Sequence, residues 1–275
     1  MQLQRPKISL SLFFVLLFAV CWIGTIPMVL SSWRSAKLPP GVALLQVLML
    51  FGPGLVAIYV TGVNEGRAGI RKLLCRFLIW RVNIIWYLIV LLGPLLLCIA
   101  SRQLSLLLGG SVNKLQSLPE VLMAFATTFA IYFFLNTEEF AWRGYALPRL
   151  QDRFGITKAT FILGIIWGVF HLPLFLMKTG HPAGYPFPLY LLMTLAMTFS
   201  FTWVFNNTYG SLLLVHLLHQ SLNAWAEAIP FYPKATGSLL ALIIAIVLLS
   251  LAAVAIVLVK FAPTKSFQGQ NASLL

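Results

Sequence analysis

Eight apolar stretches, separated by short segments that hold nearly all the charges, constrain this chain more than any other feature of its sequence. They run at about 8–30, 41–62, 83–101, 118–140, 157–177, 187–206, 211–226 and 237–260. A helix that crosses the hydrocarbon core of a bilayer needs about 20 mostly apolar residues. The stretch at 211–226 is shorter and contains two histidines, so hydropathy supports it least. Composition agrees with the segment count. Only 9% of the 275 residues are charged, against about 25% in soluble domains, too few to cover a water-facing surface. The expected fold is all-α: a polytopic membrane protein of about eight transmembrane helices.

Arg5 and Lys7 precede the first stretch as in a secretory leader. The run that follows is longer than a leader's apolar region and lacks a small-residue cleavage site, so an uncleaved first helix is expected. The net charge of +13 does not indicate nucleic-acid binding. The basic residues lie between apolar runs rather than along one polar face, and they act as topology signals. With eight spans, one side of the membrane holds 13 of the 19 Lys and Arg residues and the other holds 6. The positive-inside rule then places both termini in the cytoplasm, in a bacterial cytoplasmic membrane. Arg67 to Arg81 alternates basic and apolar residues, as an amphipathic helix lying on an anionic membrane surface would. Cys21, Cys75 and Cys98 have no metal or redox spacing and are expected to be inert thiols.

Ionisable residues inside spans cost on the order of 3 kcal/mol at mid-bilayer, which makes them functional candidates. Three groups stand out. The first is Glu138-Glu139-Phe-Ala-Trp-Arg143 at the inner end of the fourth span. Ser117-Leu-Pro-Glu120 has the pattern of a capping box that starts this helix. At ~1.5 Å per residue Glu138 would lie roughly 30 Å along it. Glu139 and Arg143 are four apart, in the favourable order for a helical ion pair. Glu138, rotated by about 100°, is left without that partner and free to act as a base. A plain membrane-end salt bridge with a spare glutamate would give the same pattern.

The second group is His171, inside the fifth span in Trp167-Gly-Val-Phe-His171; taken alone, it reads as a packing residue. The third is His216, His219 and Asn223, spaced to face one direction on a helix like the wall of a polar cavity. An interhelical hydrogen-bond seam is the plainer reading, and for His216 the preferred one.

Taken together, these groups resemble the CPBP family, the CAAX-protease and bacteriocin-processing membrane proteins, which includes the type II CAAX prenyl endopeptidases. The family's EExxxR motif, often continued as RGyLLPRL, is matched by EEFAWRGYALPRL from Glu138 to Leu150. Its FxxxH is matched with Trp167 in place of Phe before His171, and its HxxxN by His219 and Asn223. The likeness covers about 118–226. It divides the chain into N-terminal transmembrane helices with the basic segment (1–117), a protease-type core (118–226), and a last helix with a tail (227–275).

The resemblance implies an intramembrane endopeptidase acting on a membrane-anchored peptide or protein, with the lipid bilayer as its other partner. Carried over by position, Glu138 would activate water with help from His171, and His219 and Asn223 would bind the oxyanion. Glu139 and Arg143 would brace the site. A positioned carboxylate is a competent general base, and fixed donors in a dry site stabilise developing negative charge. No cofactor is expected. The alternative is zinc held by Glu138, His171 and His219, although no HExxH is present. A non-catalytic immunity or scaffold protein is the rival from another class, and a small proton-relay transporter is a third. Helix rise puts His171 about 21 Å and His219 about 12 Å into their spans, with Glu138 nearer the basic surface than either. The three must nonetheless meet.

Overall fold

A computed structural model describes residues 7–34 and 40–259. Expectations that rest on Arg5, Lys37, Lys260 and Lys265 lie outside the described residues. The described chain is all-helical, as the apolar patterning requires. Its principal helices are α1 (Leu10–Arg34), α2 (Val47–Cys75), α3 (Ile84–Leu107), α4 (Leu118–Leu135), α5 (Leu147–Phe154), α6 (Ile156–Phe170), α7 (Phe187–Asn207), α8 (Leu212–Ala228) and α9 (Leu240–Leu258). Six segments are long and apolar enough to cross a bilayer: α1, Val47–Leu78, α3, α4, α7 and α9. The protein is a polytopic, integral membrane protein.

The remaining two expected spans are the informative ones. α6 has 15 residues and α8 has 17, below the usual span of about 20. α8 is buried among its neighbours, while α6 keeps an outward face at Phe161 and Ile165. α6 packs on α7, and α8 packs on α3, α4 and α7. These two short helices carry His171, His219 and Asn223.

The helix ends sort into two opposite faces. At one, the backbone of Ile8 exchanges two hydrogen bonds with Asn64. Arg149 pairs with Glu65, Arg76 donates to the Gly144 carbonyl, and Ser211 donates to the Ile79 carbonyl. The segments that the charge count grouped together therefore touch. At the other face, Trp33 donates to Leu176, Arg102 to Pro230 and Asn113, and Ser111 to Thr236. The basic segment after Asn64 follows its sequence pattern. Gly66, at φ 68°, turns α2 aside in a conformation that glycine adopts without strain. Beyond it Arg67, Arg71 and Lys72 are exposed while Leu73 is buried.

Gly164 and Gly168 set the α6–α7 seam. A Cβ at Gly164 would lie 2.9 Å from the Leu195 Cα, and one at Gly168 would lie 2.6 Å from the Thr194 hydroxyl. Only glycine permits so close an approach, as in small-xxx-small helix pairs. This seam holds Trp167 and the turn that follows it.

Candidate active site

The fourth span is not one continuous helix to residue 140. α4 starts as expected, with Glu120 accepting from the Ser117 N–H and hydroxyl, but it ends at Leu135. Asn136 is extended (φ −83°, ψ 116°), and its side chain accepts from the Glu138 N–H at 2.9 Å. Thr137 bonds to the Leu50 carbonyl of α2 through both its N–H and its hydroxyl. Phe140–Ala146 then forms a wide, π-type turn that leads into α5. The helix-rise estimate for Glu138 therefore fails. The break swings Glu138 under the end of α6, where its Oε1 lies 4.0 Å from His171 Nε2, and the expected mismatch in depth disappears.

Glu138 also has partners that the sequence reading did not give it. Its Oε2 accepts from the indole N–H of Trp142 at 2.9 Å and of Trp167 at 2.8 Å. Trp142 stands four residues after Glu138, in the relation that Arg143 has to Glu139. Trp167 occupies the position where the resembled motif has Phe, a ring with no N–H to give. The two indoles fix one carboxylate oxygen and leave the other facing His171. His171 closes α6 as its C-terminal cap, and its Nδ1–H donates to the Trp167 carbonyl at 3.0 Å. α1 supports this turn, with Trp22 donating to the Phe170 carbonyl at 2.8 Å.

Glu139 and Arg143 are paired as expected, at 3.0 Å, and lie deeper than a membrane-end bridge would. Arg143 is fully buried and Glu139 is 1% exposed. Rings of Trp167 and Phe201 lie 4.6 and 4.3 Å from the guanidinium. Glu139 Oε1 has a second partner, His219 Nδ1, at 2.8 Å. A carboxylate has no proton to offer, so Nδ1 carries the hydrogen and His219 presents Nε2 elsewhere.

Asn223, one turn further along α8, is tied to Gln220 by one amide hydrogen at 3.3 Å. His216 is committed elsewhere, with Nε2 2.9 Å from the Phe133 carbonyl, in keeping with a packing role.

Glu138, His171, His219 and Asn223 all line one cavity of about 440 Å³; Glu139 and Arg143 stand behind its wall. Trp167, Tyr190 and Met193 add apolar surface, and Tyr132 and Asn136 add polar edges. The cavity extends toward Pro182, Ala183, Glu227 and Tyr232, which also border a more open hollow with Lys234. Its mouth thus lies at the less basic face, away from Arg149 and Arg76. The sequence alone had placed the chemistry near the basic face.

Among the described residues no group of three or more His, Cys, Asp or Glu side chains is placed to hold a metal ion. The Nδ1 atoms of His171 and His219 are engaged, which leaves each Nε2 open, and the facing Glu138 and His171 atoms stand 4.0 Å apart, against about 3.4 Å for two tetrahedral ligands of one zinc.

These features define a multi-pass membrane protein with a polar cavity lined by ionisable side chains from short helices. Residues 116–225 match the family model described as type II CAAX prenyl endopeptidase Rce1-like. The chain is also 29% identical over 138 residues to CAAX prenyl protease 2 of Methanococcus maripaludis, covering 45% of this chain and 49% of that protein. The matched stretch thus spans about half the length of that relative. Both findings support the CPBP resemblance carried by the three motifs.

Proposed function

We propose that the chain is an intramembrane endopeptidase that uses Glu138, without a metal, to activate water against a peptide bond of a membrane-anchored peptide or protein. The observation that carries this reading is the 4.0 Å gap between Glu138 Oε1 and His171 Nε2, both on the cavity wall. With Nδ1–H given to a carbonyl, neutral His171 has a lone pair on Nε2, so both facing atoms accept hydrogen bonds. A water about 2.8 Å from each would donate one hydrogen to each and keep a lone pair for attack.

The water oxygen bonds to the substrate carbonyl carbon as its proton passes to Glu138. The C–N bond of the tetrahedral intermediate then breaks, and Glu138 returns the proton to the leaving nitrogen, giving a carboxylic acid and an amine. Asn223 has a free amide hydrogen for the oxyanion. His219, held at Nδ1 by the Glu139 carboxylate, would donate from Nε2 only as the imidazolium. Donors fixed in advance inside a low-dielectric cavity are worth far more than in water. Glu139 and Arg143 hold His219 and Trp167 in place.

The test is hydrolysis of membrane-anchored peptides by the purified chain, with and without a chelator. Glu138→Gln should abolish turnover while leaving the protein folded, and Asn223→Ala should lower kcat by about 10²–10³. Near-full cleavage by both variants would overturn the mechanism. Loss of cleavage with chelator, restored by zinc, would overturn its metal-free form.

A further inference from the structure

The chain has six acidic residues, and two of them, Glu138 and Glu227, face the same cavity. Glu227 has no part in the hydrolytic scheme. It lies exposed in the last turn of α8, and among the described residues it forms no ion pair. Its hydrogen-bond partner is the Tyr232 hydroxyl, at a long 3.4 Å. The surrounding wall supplies no compensating cation, because neither Lys nor Arg lines the cavity. His181, on the wall beside it, is pushed down to about 4 by burial and then by His171, so it is neutral at physiological pH. Lys234 borders the outer hollow, which Glu227 and Tyr232 also line, but makes no ion pair with Glu227 among the described residues. A protein of net charge +13 thus lines this cavity with two carboxylates and no Lys or Arg.

Position gives this carboxylate a reach. His219, Asn223 and Glu227 are successive members of one α8 face, so Glu227 lies about 6 Å beyond Asn223 and about 12 Å beyond His219 toward the mouth. An extended peptide advances about 3.3 Å per residue. A chain held at Glu138 and Asn223 would therefore pass Glu227 two to four residues from the bond being cut. Aromatic surface accompanies the charge there. Tyr132, Phe231 and Tyr232 line the same wall, and Tyr185 stacks edge-on to Tyr232 with centroids 6.2 Å apart. Ring faces beside a carboxylate suit a cation better than any other side chain.

We infer that Glu227, with Tyr132 and Tyr232, forms a subsite for a Lys or Arg side chain of the substrate, on the mouth side of the scissile bond. The word substrate rests on the protease reading above; the cation subsite is measurable without it. The experiment uses the full chain in detergent and fluorescent peptides that carry Lys, norleucine or Glu at successive positions. Binding affinity and kcat/KM are both read, for wild type, Glu227→Gln and Glu227→Lys.

At the matching position wild type should bind the Lys peptide about tenfold more tightly than the norleucine peptide. Glu227→Gln should erase the difference, and Glu227→Lys should transfer it to the Glu peptide. The norleucine peptide should bind all three proteins alike, which reports an intact fold. Equal binding of Lys and norleucine peptides at every position, a Lys preference that survives Glu227→Gln, or no binding at all would each overturn the subsite. A Lys preference that Glu227→Gln removes, with no peptide cleaved, would sustain the subsite and overturn the protease reading. Cleavage of all three peptides with equal kcat/KM would do the reverse.

Discussion

Removing either member of the Glu139–Arg143 pair should destabilise the protein by unequal amounts, because Glu139 serves two partners and Arg143 serves one carboxylate. The pair is almost completely excluded from solvent, at 1% and 0% exposure. Breaking such a pair costs about 3–5 kcal/mol when it leaves a buried charge uncompensated. Arg143→Ala leaves Glu139 with His219 at 2.8 Å, so its cost should fall near the lower end. Glu139→Ala strands Arg143, whose Nε and Nη2 already lack hydrogen-bond partners, and also frees His219. Its cost should fall near the upper end. At roughly 2–4 °C per kcal/mol for a chain of this size, the two variants should melt about 6–12 °C and about 10–20 °C below wild type. The double variant removes both charges and should lose less than the sum. The assay is the thermal midpoint in detergent for the four proteins of the cycle, with binding of an uncleaved peptide analogue as a check on folding. Additive losses would show that the residues do not interact. The bracing role of the pair, and the assignment of Glu138 rather than Glu139 as base, would then have to be withdrawn.

Trp167→Phe keeps a ring against Arg143 but deletes one N–H to Glu138, so kcat should fall about tenfold, the effect of losing a hydrogen bond to a charged group; unchanged kcat would refute an orienting role for the indole. Gly164→Val should sharply lower folded yield, since its Cβ would meet backbone at 2.9 Å; normal yield and melting would disprove the tight α6–α7 seam. Single cysteines at Arg67 and Lys234, in a Cys75→Ser background, should be labelled from opposite sides of the membrane. Labelling of both from one side would contradict the two-faced arrangement of helix ends. If the basic face is cytoplasmic, as the charge count expects, Arg67 is the one labelled from inside.

The motif residues were legible in the sequence because each is an ionisable or amide side chain in an apolar setting that disfavours it, and their helical spacing told which of them share a face. The glutamate–arginine pair and the capped start of α4 followed from local rules alone, since partners three or four residues apart meet on any helix. The Glu138–Trp142 bond obeys the same rule and was open to the same reading. The pair Gly164 and Gly168 was likewise visible as a small-xxx-small pattern, although what it approaches was not. Apolar patterning also settled the all-helical, multi-pass architecture, because an unpaired backbone is not tolerated in hydrocarbon.

Only the tertiary structure decided how the motifs meet. A local rule extends an apolar run as helix, but α4 stops at Leu135 because Asn136 caps the next turn and Thr137 finds the Leu50 carbonyl 87 residues away. That contact lowers Glu138 to His171, and no local propensity contains it. The same holds for His219, which a motif alone presents as a free donor but which packing binds to Glu139 across 80 residues. The two shortest helices of the eight that hydropathy assigned as spans, α6 and α8, bring the histidines together. With their longer neighbours they enclose a polar chamber whose mouth the order of charges along the chain could not locate.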